Sequence, residues 1–359
     1  MKRWETALPI IAGTGADAMI VRDTANIRYL TGYTNDTGLL VITSDGFAGL
    51  ITDFRFLFQA KQEAEDCAVF DVAHTTYEDE VNRILKEHGA KSVAFEKDAT
   101  GYRAYEAMRE KIEAELVPAD NVLIELRKIK TPEELARLRR AEAIGDEAFS
   151  EILNDLRPGV TEMEIAAKLT YYMCCKGASG NSFSPIVASG VNSSMPHAMP
   201  SAKPLQAGDF VTMDFGCIYE GYCSDMTRTV VLGHADDRQI KIYNTVLEAQ
   251  TAVLSQIHAG MKGREIDGIA RAIINDAGFE GCFGHGLGHS VGLEIHEPPY
   301  TNARSEEIVR AGSMMTVEPG IYVEGFGGVR IEDLVLVTEG GCENFAHSPK
   351  KLIEIPVSE

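Results

Sequence analysis

Two pairs of acidic residues interrupt apolar, strand-like stretches in the second half of this chain, and their spacing limits what it can fold into. One stretch reads Asp209-Phe210-Val211-Thr212-Met213-Asp214-Phe215-Gly216, and the next Tyr222-Cys223-Ser224-Asp225-Met226-Thr227-Arg228-Thr229-Val230-Val231. Tyr219-Glu220-Gly221 between them has turn character, so a β-hairpin would set Asp214 opposite Asp225. Opposed residues have Cβ atoms roughly 4.5–5.5 Å apart. Two carboxylates that close repel unless a proton or a cation lies between them. A second hairpin is expected from Met315-Thr316-Val317-Glu318-Pro319-Gly320-Ile321-Tyr322-Val323 and Val329-Arg330-Ile331-Glu332-Asp333-Leu334-Val335. Its turn would be Gly325-Phe326-Gly327-Gly328, with Glu318 opposite Glu332. Four acids converging in one cleft would be prohibitive without metal. The fold must bring both hairpins to one cation site.

Histidines lie between and beside these hairpins. Gly284-His285-Gly286-Leu287-Gly288-His289 is too rich in glycine for a helix interior, so its HxxxH spacing is not that of a zincin helix. A strand or a close-approach loop suits it better, and strand alternation puts His285 and His289 on one face. His296 follows in Leu293-Glu294-Ile295-His296-Glu297, and His197 lies in Ser194-Met195-Pro196-His197. One imidazole with four carboxylates is an oxygen-rich set that suits Mn²⁺, with Co²⁺, Fe²⁺ or Zn²⁺ as alternatives. No thiolate belongs to the set, which argues against a structural zinc. Two ions sharing carboxylates would turn a bound water into hydroxide near neutral pH. The remaining histidines could donate to a carbonyl oxygen as it becomes negative.

Each residue has a plainer reading when taken alone. A strand aspartate is usually a surface residue or a turn-side cap. Glu318 before Pro-Gly could merely start a turn. A glycine-flanked histidine is more often structural, and Arg330, on the strand face of Glu332, is expected as its ion-pair partner. The conjunction outweighs them, because five ligand-type residues in two hairpins and a Gly-His segment are hard to obtain by chance.

Bulk properties exclude some classes. The 359 residues suggest two domains. With 54 acidic against 34 basic residues, the formal net charge is −20. A nucleic-acid binder needs a cationic footprint, so that class is set aside. No apolar run approaches the ~20 residues needed to span a bilayer. Glu5 and Pro9 interrupt any export segment after Met1-Lys2-Arg3. The seven cysteines form no CxxC framework, and reduced thiols in the cytoplasm are the plain reading. Cys174-Cys175, in a helical pattern, is assigned to packing.

Short apolar runs alternate with helical patterns over about the first 120 residues, the signature of a small α/β domain. Residues 18–21, 39–42, 49–52 and 92–95 read as strands, and 54–65, 78–88 and 102–113 as helices. His74 and His88 there read as surface residues. A boundary falls near 117–130, giving domains 1–125 and 126–359. Thr131-Pro132-Glu133-Glu134 then makes a capping box with proline at the first helical position. The helix behind it is expected to run to Pro158-Gly159, and Thr161 with Glu164 caps another running to about Gly177. Leu156-Arg157-Pro158-Gly159-Val160 before Glu164-Ile165 is echoed by Ile257-His258-Ala259-Gly260-Met261 before Glu265-Ile266. A hairpin with paired acids follows each copy, so the second domain reads as two related halves facing each other.

The segments Met213-Asp214-Phe215-Gly216, Ser224-Asp225-Met226-Thr227-Arg228-Thr229, His285 to Leu293, His296-Glu297, Thr316 to Tyr322 and Arg330-Ile331-Glu332-Asp333 together resemble the Xaa-Pro peptidases, aminopeptidase P and prolidase, of the pita-bread metallopeptidase family M24. The resemblance covers the whole chain. It implies a small creatinase-like α/β N-terminal domain followed by a pseudo-twofold pita-bread catalytic domain, an α/β (α+β) fold. It also implies two divalent metal ions, with Asp225 and Glu332 bridging, Asp214 on one ion, and His289 and Glu318 on the other. Glu318 would also serve as general base. His197, His285 and His296 match substrate-positioning histidines, and Arg330 a supporting arginine. The family usually dimerises through its N-terminal domain, so a homodimer acting on proline-containing peptides is expected.

One departure bears on substrate. Some dipeptide-cleaving relatives place arginine directly after the His-Glu-x-Pro stretch to hold the product carboxylate, whereas here Tyr300 follows Pro299. A buried free carboxylate is costly unpaired, so release of a residue preceding proline in longer peptides is favoured over strict dipeptidase action. A catalytically dead binding module or a creatinase-type amidinohydrolase would lack metal-type acids, and none is missing. Methionine aminopeptidases share the catalytic fold but generally lack the N-terminal domain.

Overall fold

A computed structural model describes residues 2–64, 66–120 and 122–357. The chain divides into two compact units, Met1–Arg127 and Lys128–Glu359. In the first, β1 (Ala18–Val21), β2 (Leu39–Thr43), β3 (Phe47–Thr52), β4 (Ala68–Asp71), β5 (Ser92–Glu96) and β6 (Glu115–Ala119) form one sheet in the order β4-β3-β2-β1-β5-β6. β1, β2 and β3 pair antiparallel, while β1–β5, β3–β4 and β5–β6 pair parallel. Parallel neighbours need crossovers, which the helices Leu57–Glu63, Tyr77–Glu87 and Tyr102–Lys111 supply. Val81, Ile84 and Leu85 of the middle helix pack with Ile20, Val41 and Phe95 of the sheet. The helix expected over 54–65 is thus shorter, and Glu65 lies outside the described residues. The helix Thr24–Thr31 was not legible from apolar period. It is short, set by the Asp23 cap on Asn26 N–H and by Gly32 in the left-handed region at φ 81°. His74 is exposed, and His88 is half-buried with its Nδ1 bonded to Asp45 at 2.8 Å.

The second unit opens with the capped helix Pro132–Ile152. Thr131 Oγ1 accepts from Glu134 N–H, and Glu134 Oε2 accepts from Thr131 N–H. It ends at Ile152, earlier than expected; turns follow, and Leu156 folds into the same core as Phe149 and Ile152. The Thr161–Glu164 box opens the helix Glu162–Cys175. Cys174 and Cys175 are both exposed, so they do not serve packing. The strands that follow are β7 (Gly180–Asn181), β8 (Ile186–Ser189), β9 (Phe210–Phe215), β10 (Cys217–Tyr219), β11 (Tyr222–Cys223) and β12 (Met226–Leu232). After the helices Asp237–Gln256 and Gly263–Ile274 come β13 (Gly288–Ser290), β14 (Glu297–Thr301), β15 (Met314–Val317), β16 (Gly320–Val323), β17 (Gly327–Arg330), β18 (Asp333–Thr338) and β19 (Gly341–Asn344).

The internal echo in the sequence is a structural repeat. Gly159 N–H bonds Leu205 O in one half, and Gly260 N–H bonds Val309 O in the other. Leu205 N–H returns to Val160 O, and Val309 N–H to Met261 O. Each half has its own core, one around Phe149, Leu169 and Met213, the other around Val246, Ile266 and Val335. Two helices and two long strands recur in each half, which is the pita-bread arrangement.

The first hairpin differs in register from its expectation. Glu220 at φ 46° and Gly221 at φ 90° form the turn, as a two-residue type I′ connection requires. Asp214 therefore faces Thr227, not Asp225. Moving the turn centre by one residue slides partners by two, and a two-residue slide keeps every side chain on its face. The second hairpin keeps its register. Val317 pairs with Asp333 and Gly320 with Arg330, so Glu318 and Glu332 oppose each other between the two ladders.

Gly288 in β13 runs against β15. A Cβ there would lie 2.2 Å from the Thr316 carbonyl oxygen, whereas one at Gly284 would meet nothing within 4 Å. Gly288→Ala should cost about 1–3 kcal/mol and lower the thermal midpoint, with Gly284→Ala close to wild type. Equal midpoints for the two variants would contradict this close packing.

Candidate metal centre and active site

A cleft of about 360 Å³ in the second unit is lined by Asp214, Asp225, Glu318 and Glu332, and by His197, His285, His289 and His296. Eight of the nine expected site residues therefore meet in one cavity. The ninth, Arg330, is buried beneath it. Carboxylate oxygens of Asp214, Asp225 and Glu332 lie within 4.8 Å of one another. His289 Nε2 stands 3.5 Å from both Asp225 Oδ2 and Glu318 Oε1.

The second strands of the two hairpins supply the packing of this centre. Thr227 Oγ1 donates to Glu332 Oε2 at 2.6 Å, and Glu332 N–H donates to Thr227 O at 3.1 Å. Arg330 does not pair with Glu332. Its Nη2 donates to Asp214 Oδ2 at 2.6 Å and its Nε to Thr227 Oγ1 at 3.0 Å. Thr227 Oγ1 stands between Arg330 and Glu332, accepting from the guanidinium and donating to Glu332. Thr316 Oγ1 donates to Glu318 Oε1 at 3.1 Å and accepts from His289 N–H at 3.0 Å.

Two buried atoms are left over. Asp214 Oδ1 and Glu332 Oε1 have no hydrogen-bond partner. Orphaned buried carboxylate oxygens cost free energy comparable to a lost hydrogen bond or more. Burial, then the Glu332, Asp214 and Glu318 charges, pushes the Asp225 carboxyl well above its usual range. Burial, then Glu318 and Asp214, does the same to Glu332, and burial raises Glu318 to about 8. Carboxylates this close would hold protons near neutrality unless a cation replaced them. The unsatisfied oxygens and the donor set fit divalent metal ions.

The imidazoles have assigned faces. A carbonyl only accepts, so His289 Nδ1, 3.1 Å from Ser290 O, carries the proton, and the Nε2 lone pair is left toward the acids. Burial holds His289 down to about 4, so it is neutral at pH 7. His285 Nδ1 likewise donates to Gly286 O at 2.8 Å, and burial lowers this histidine to about 4. Its Nε2 accepts from Tyr322 Oη at 2.8 Å, and that oxygen accepts from Arg330 Nη1 at 2.7 Å. Both nitrogens of His285 are thus committed. His197 and His296 are exposed at the rim, with the His296 ring edge-on to His289 at 4.5 Å between centroids.

Thr227, Thr316 and Tyr322 belong to this site and were missed from sequence. Each stands an even number of residues from an acid on the same strand run, so the period of two that placed the acids on one face could have found them.

A buried carboxylate cluster fitted for divalent ions, with imidazoles at the rim of a peptide-sized cleft, defines a metal-dependent hydrolase. Residues 136–339 match the model of metallopeptidase family M24, and residues 3–129 that of the creatinase/prolidase N-terminal domain. An uncharacterized peptidase of Bacillus subtilis is 42% identical over 340 residues, 94% of this chain and 96% of that protein. The solved Xaa-Pro dipeptidase from Bacillus anthracis superposes with a TM-score of 0.96 at 41% identity, covering 100% of this chain and 99% of that one. The X-Pro aminopeptidase from Thermotoga maritima gives 0.89 at 34% identity, covering 96% and 98%. The chain belongs to metallopeptidase family M24 and carries that family's creatinase/prolidase N-terminal domain. It is a metallopeptidase of the Xaa-Pro group; the family implies divalent metal ions, which this buried acidic cluster could hold.

The raised carboxyls carry a pH signature in metal-free protein. An acid whose folded pKa is raised stabilises the fold below its unfolded pKa and loses that contribution as pH rises through the folded value. For Glu318 the window runs from 4.5 to about 8, and Asp225 and Glu332 shift the same way. His289 acts oppositely, losing its contribution as pH falls from 6.5 to about 4. The melting midpoint of chelated protein should therefore fall between about pH 6.5 and 8, and added Mn²⁺ should raise it most at the upper end. A midpoint that climbs across that interval would contradict the clustered acids.

Proposed function

We propose that this chain is a Xaa-Pro aminopeptidase, hydrolysing the bond between an N-terminal residue and proline in peptides that continue beyond that proline. One observation carries the preference over dipeptidase action. Among the described residues, the cleft is lined by acids, imidazoles and neutral side chains, with no lysine or arginine to hold a substrate carboxylate. The buried Arg330 is engaged by Asp214, Tyr322 and Thr227. A second reading, Xaa-Pro dipeptidase, is favoured by the name of the Bacillus anthracis relative.

In this reading Asp214, Asp225, His289, Glu318 and Glu332 would together hold two divalent ions. Mn²⁺ suits the oxygen-rich set, with Co²⁺, Zn²⁺ or Fe²⁺ as alternatives. Bound there, the ions supply Lewis acidity and lower the pKa of water within reach. Glu318, whose carboxylate lines the cleft, takes a proton from the attacking water and passes it to the proline nitrogen as the bond breaks. His197 and His296, at the rim, donate to substrate carbonyl oxygens as negative charge develops. His285 has no N–H to spare and contributes a ring wall to the cleft. Arg330 restrains Asp214 and, through Tyr322, sets the His285 tautomer.

We further infer a cytoplasmic homodimer formed through the N-terminal domain, with no nucleic-acid or membrane partner. The net charge of −20 disfavours phosphate tracking. Among the described residues no helix is long and apolar enough to cross a membrane.

Chelated protein resupplied with Mn²⁺ or Co²⁺ should cleave a Xaa-Pro-Yaa tripeptide with higher kcat/KM than the matching Xaa-Pro dipeptide. Cleavage of the dipeptide alone would establish the second reading. Asp225→Asn should remove activity and reduce bound metal in the same preparation; full activity in that variant would remove Asp225 from the metal site.

A further inference from the structure

Residues 189–201 carry His197 to the rim of the cleft with little regular structure of their own. The segment holds one 3-10 turn, Gly190–Ser194, and exposes Val191, Met195 and Met199. Hydrophobic burial therefore does little to fix it. Its ends are held by backbone bonds, Ser189 beside Val211 in the β8–β9 ladder and Ser201 O accepting from Met163 N–H, and by side-chain bonds to one residue outside the cleft.

Glu162, the first residue of the helix Glu162–Cys175, is 0% exposed. Its carboxylate holds both ends of the segment. Oε1 accepts from Ser189 N–H and Ser189 Oγ, each at 2.8 Å, and from Asn192 Nδ2 at 3.0 Å. Oε2 accepts from Ser201 Oγ at 2.6 Å, from Ser201 N–H at 3.1 Å and from Asn192 Nδ2 at 3.2 Å. Lys203 Nζ donates to Ser189 Oγ at 2.7 Å, which places a cation one bond away from the carboxylate. The middle of the segment is tied to the active-site hairpin. Gly328 N–H donates to Ser193 Oγ at 2.8 Å, and Arg330 Nη1 to Pro196 O at 3.3 Å.

The helix itself does not need this carboxylate, since Thr161 and Glu164 already form its capping box. A buried charge is a weak source of stability, because its desolvation offsets much of what its bonds return. Here all six bonds are spent on the two ends and the first turn of one exposed segment. Charge-assisted bonds from two termini to one carboxylate close the segment into a loop of fixed span.

We propose that Glu162 is a positioning residue for His197, acting as a carboxylate staple that closes the 189–201 loop and sets the imidazole against the substrate. The proposal rests on the Xaa-Pro peptidase reading for the reaction it serves. Glu162 touches neither substrate nor metal-type ligands, and its effect passes entirely through the loop. Glu162→Gln preserves size but turns one acceptor oxygen into a donor facing other donors, so one end of the loop keeps only its backbone bonds and loosens.

A double-mutant cycle on the full-length, Mn²⁺-loaded protein tests this, with wild type, Glu162→Gln, His197→Ala and the double variant assayed on a Xaa-Pro-Yaa tripeptide. Glu162→Gln should lower kcat/KM about tenfold or more at unchanged metal content, and should speed amide exchange at Ser189 and Ser201. In the His197→Ala background the same change should cost less than about twofold, because nothing remains to be positioned. Equal losses in both backgrounds would overturn the proposal, as would full activity in Glu162→Gln. Should Glu162→Gln fail to fold, Ser201→Ala removes one bond to Oε2 and must show the same non-additivity. Wild-type protein that cleaves no Xaa-Pro peptide would sink the peptidase reading alone. The staple would then be judged on the His197 ring resonances, which must shift or broaden in Glu162→Gln; unchanged resonances would overturn it.

Discussion

Mutual repulsion among Asp214, Asp225, Glu318 and Glu332 is the constraint around which the second unit is organised. Four carboxyls line one cleft of about 360 Å³, and a fold can hold them there only by opposing their charge. The protein supplies part of that opposition. Arg330 reaches Asp214, Thr227 reaches Glu332, and Thr316 reaches Glu318. Asp214 Oδ1 and Glu332 Oε1 remain unsatisfied, and their donor set fits divalent ions that would supply what the side chains do not. The polar frame and the ions are complementary halves of one electrostatic solution.

The repeat explains how so much charge can be gathered without a tangled chain. Each half brings a strand carrying an acid, Asp214 in β9 and Glu318 just after β15, and the halves meet where Thr227 contacts Glu332. The symmetry is broken at the chemistry. Thr227 faces Asp214 in the first hairpin as Glu332 faces Glu318 in the second. Two residues before those positions stand Asp225 and Arg330. One half thus contributes two aspartates, and the other two glutamates and the arginine that pairs with Asp214.

Behind the cleft, a second buried network holds the strand that bears Glu332. Asp333, fully buried, accepts from Arg228, Lys350, Gln250 and Asn344. Burial opposes its ionisation, but Arg228 and Lys350 outweigh that and hold its carboxyl below the usual range. Adjacent residues on one strand therefore have opposite electrostatic characters. Glu332 faces other acids, whose charges outweigh that of nearby Arg330, whereas Asp333 points the other way into an excess of donors. Strand alternation separates the two environments within one residue step.

What the sequence determined on its own follows from periodicity and local chemistry. The capping boxes at Thr131 and Thr161, the face shared by Asp214 and Asp225, the register of Glu318 with Glu332, and the non-helical Gly-His segment, a loop through His285 that enters β13 at Gly288, all arise from neighbours along the chain. Such features survive small errors, and the first hairpin shows why: its turn lies one residue further on than expected, yet the acids kept their face. Only the tertiary structure decided the pairing of Arg330 with Asp214, the exposure of Cys174 and Cys175, the commitment of both His285 nitrogens through Tyr322, and the gathering of Ser189 and Ser201 onto Glu162. Each of these joins residues distant in sequence across a packed interface. A guanidinium or an imidazole selects its partner by angle and reach in three dimensions, and no pattern along one strand encodes that choice.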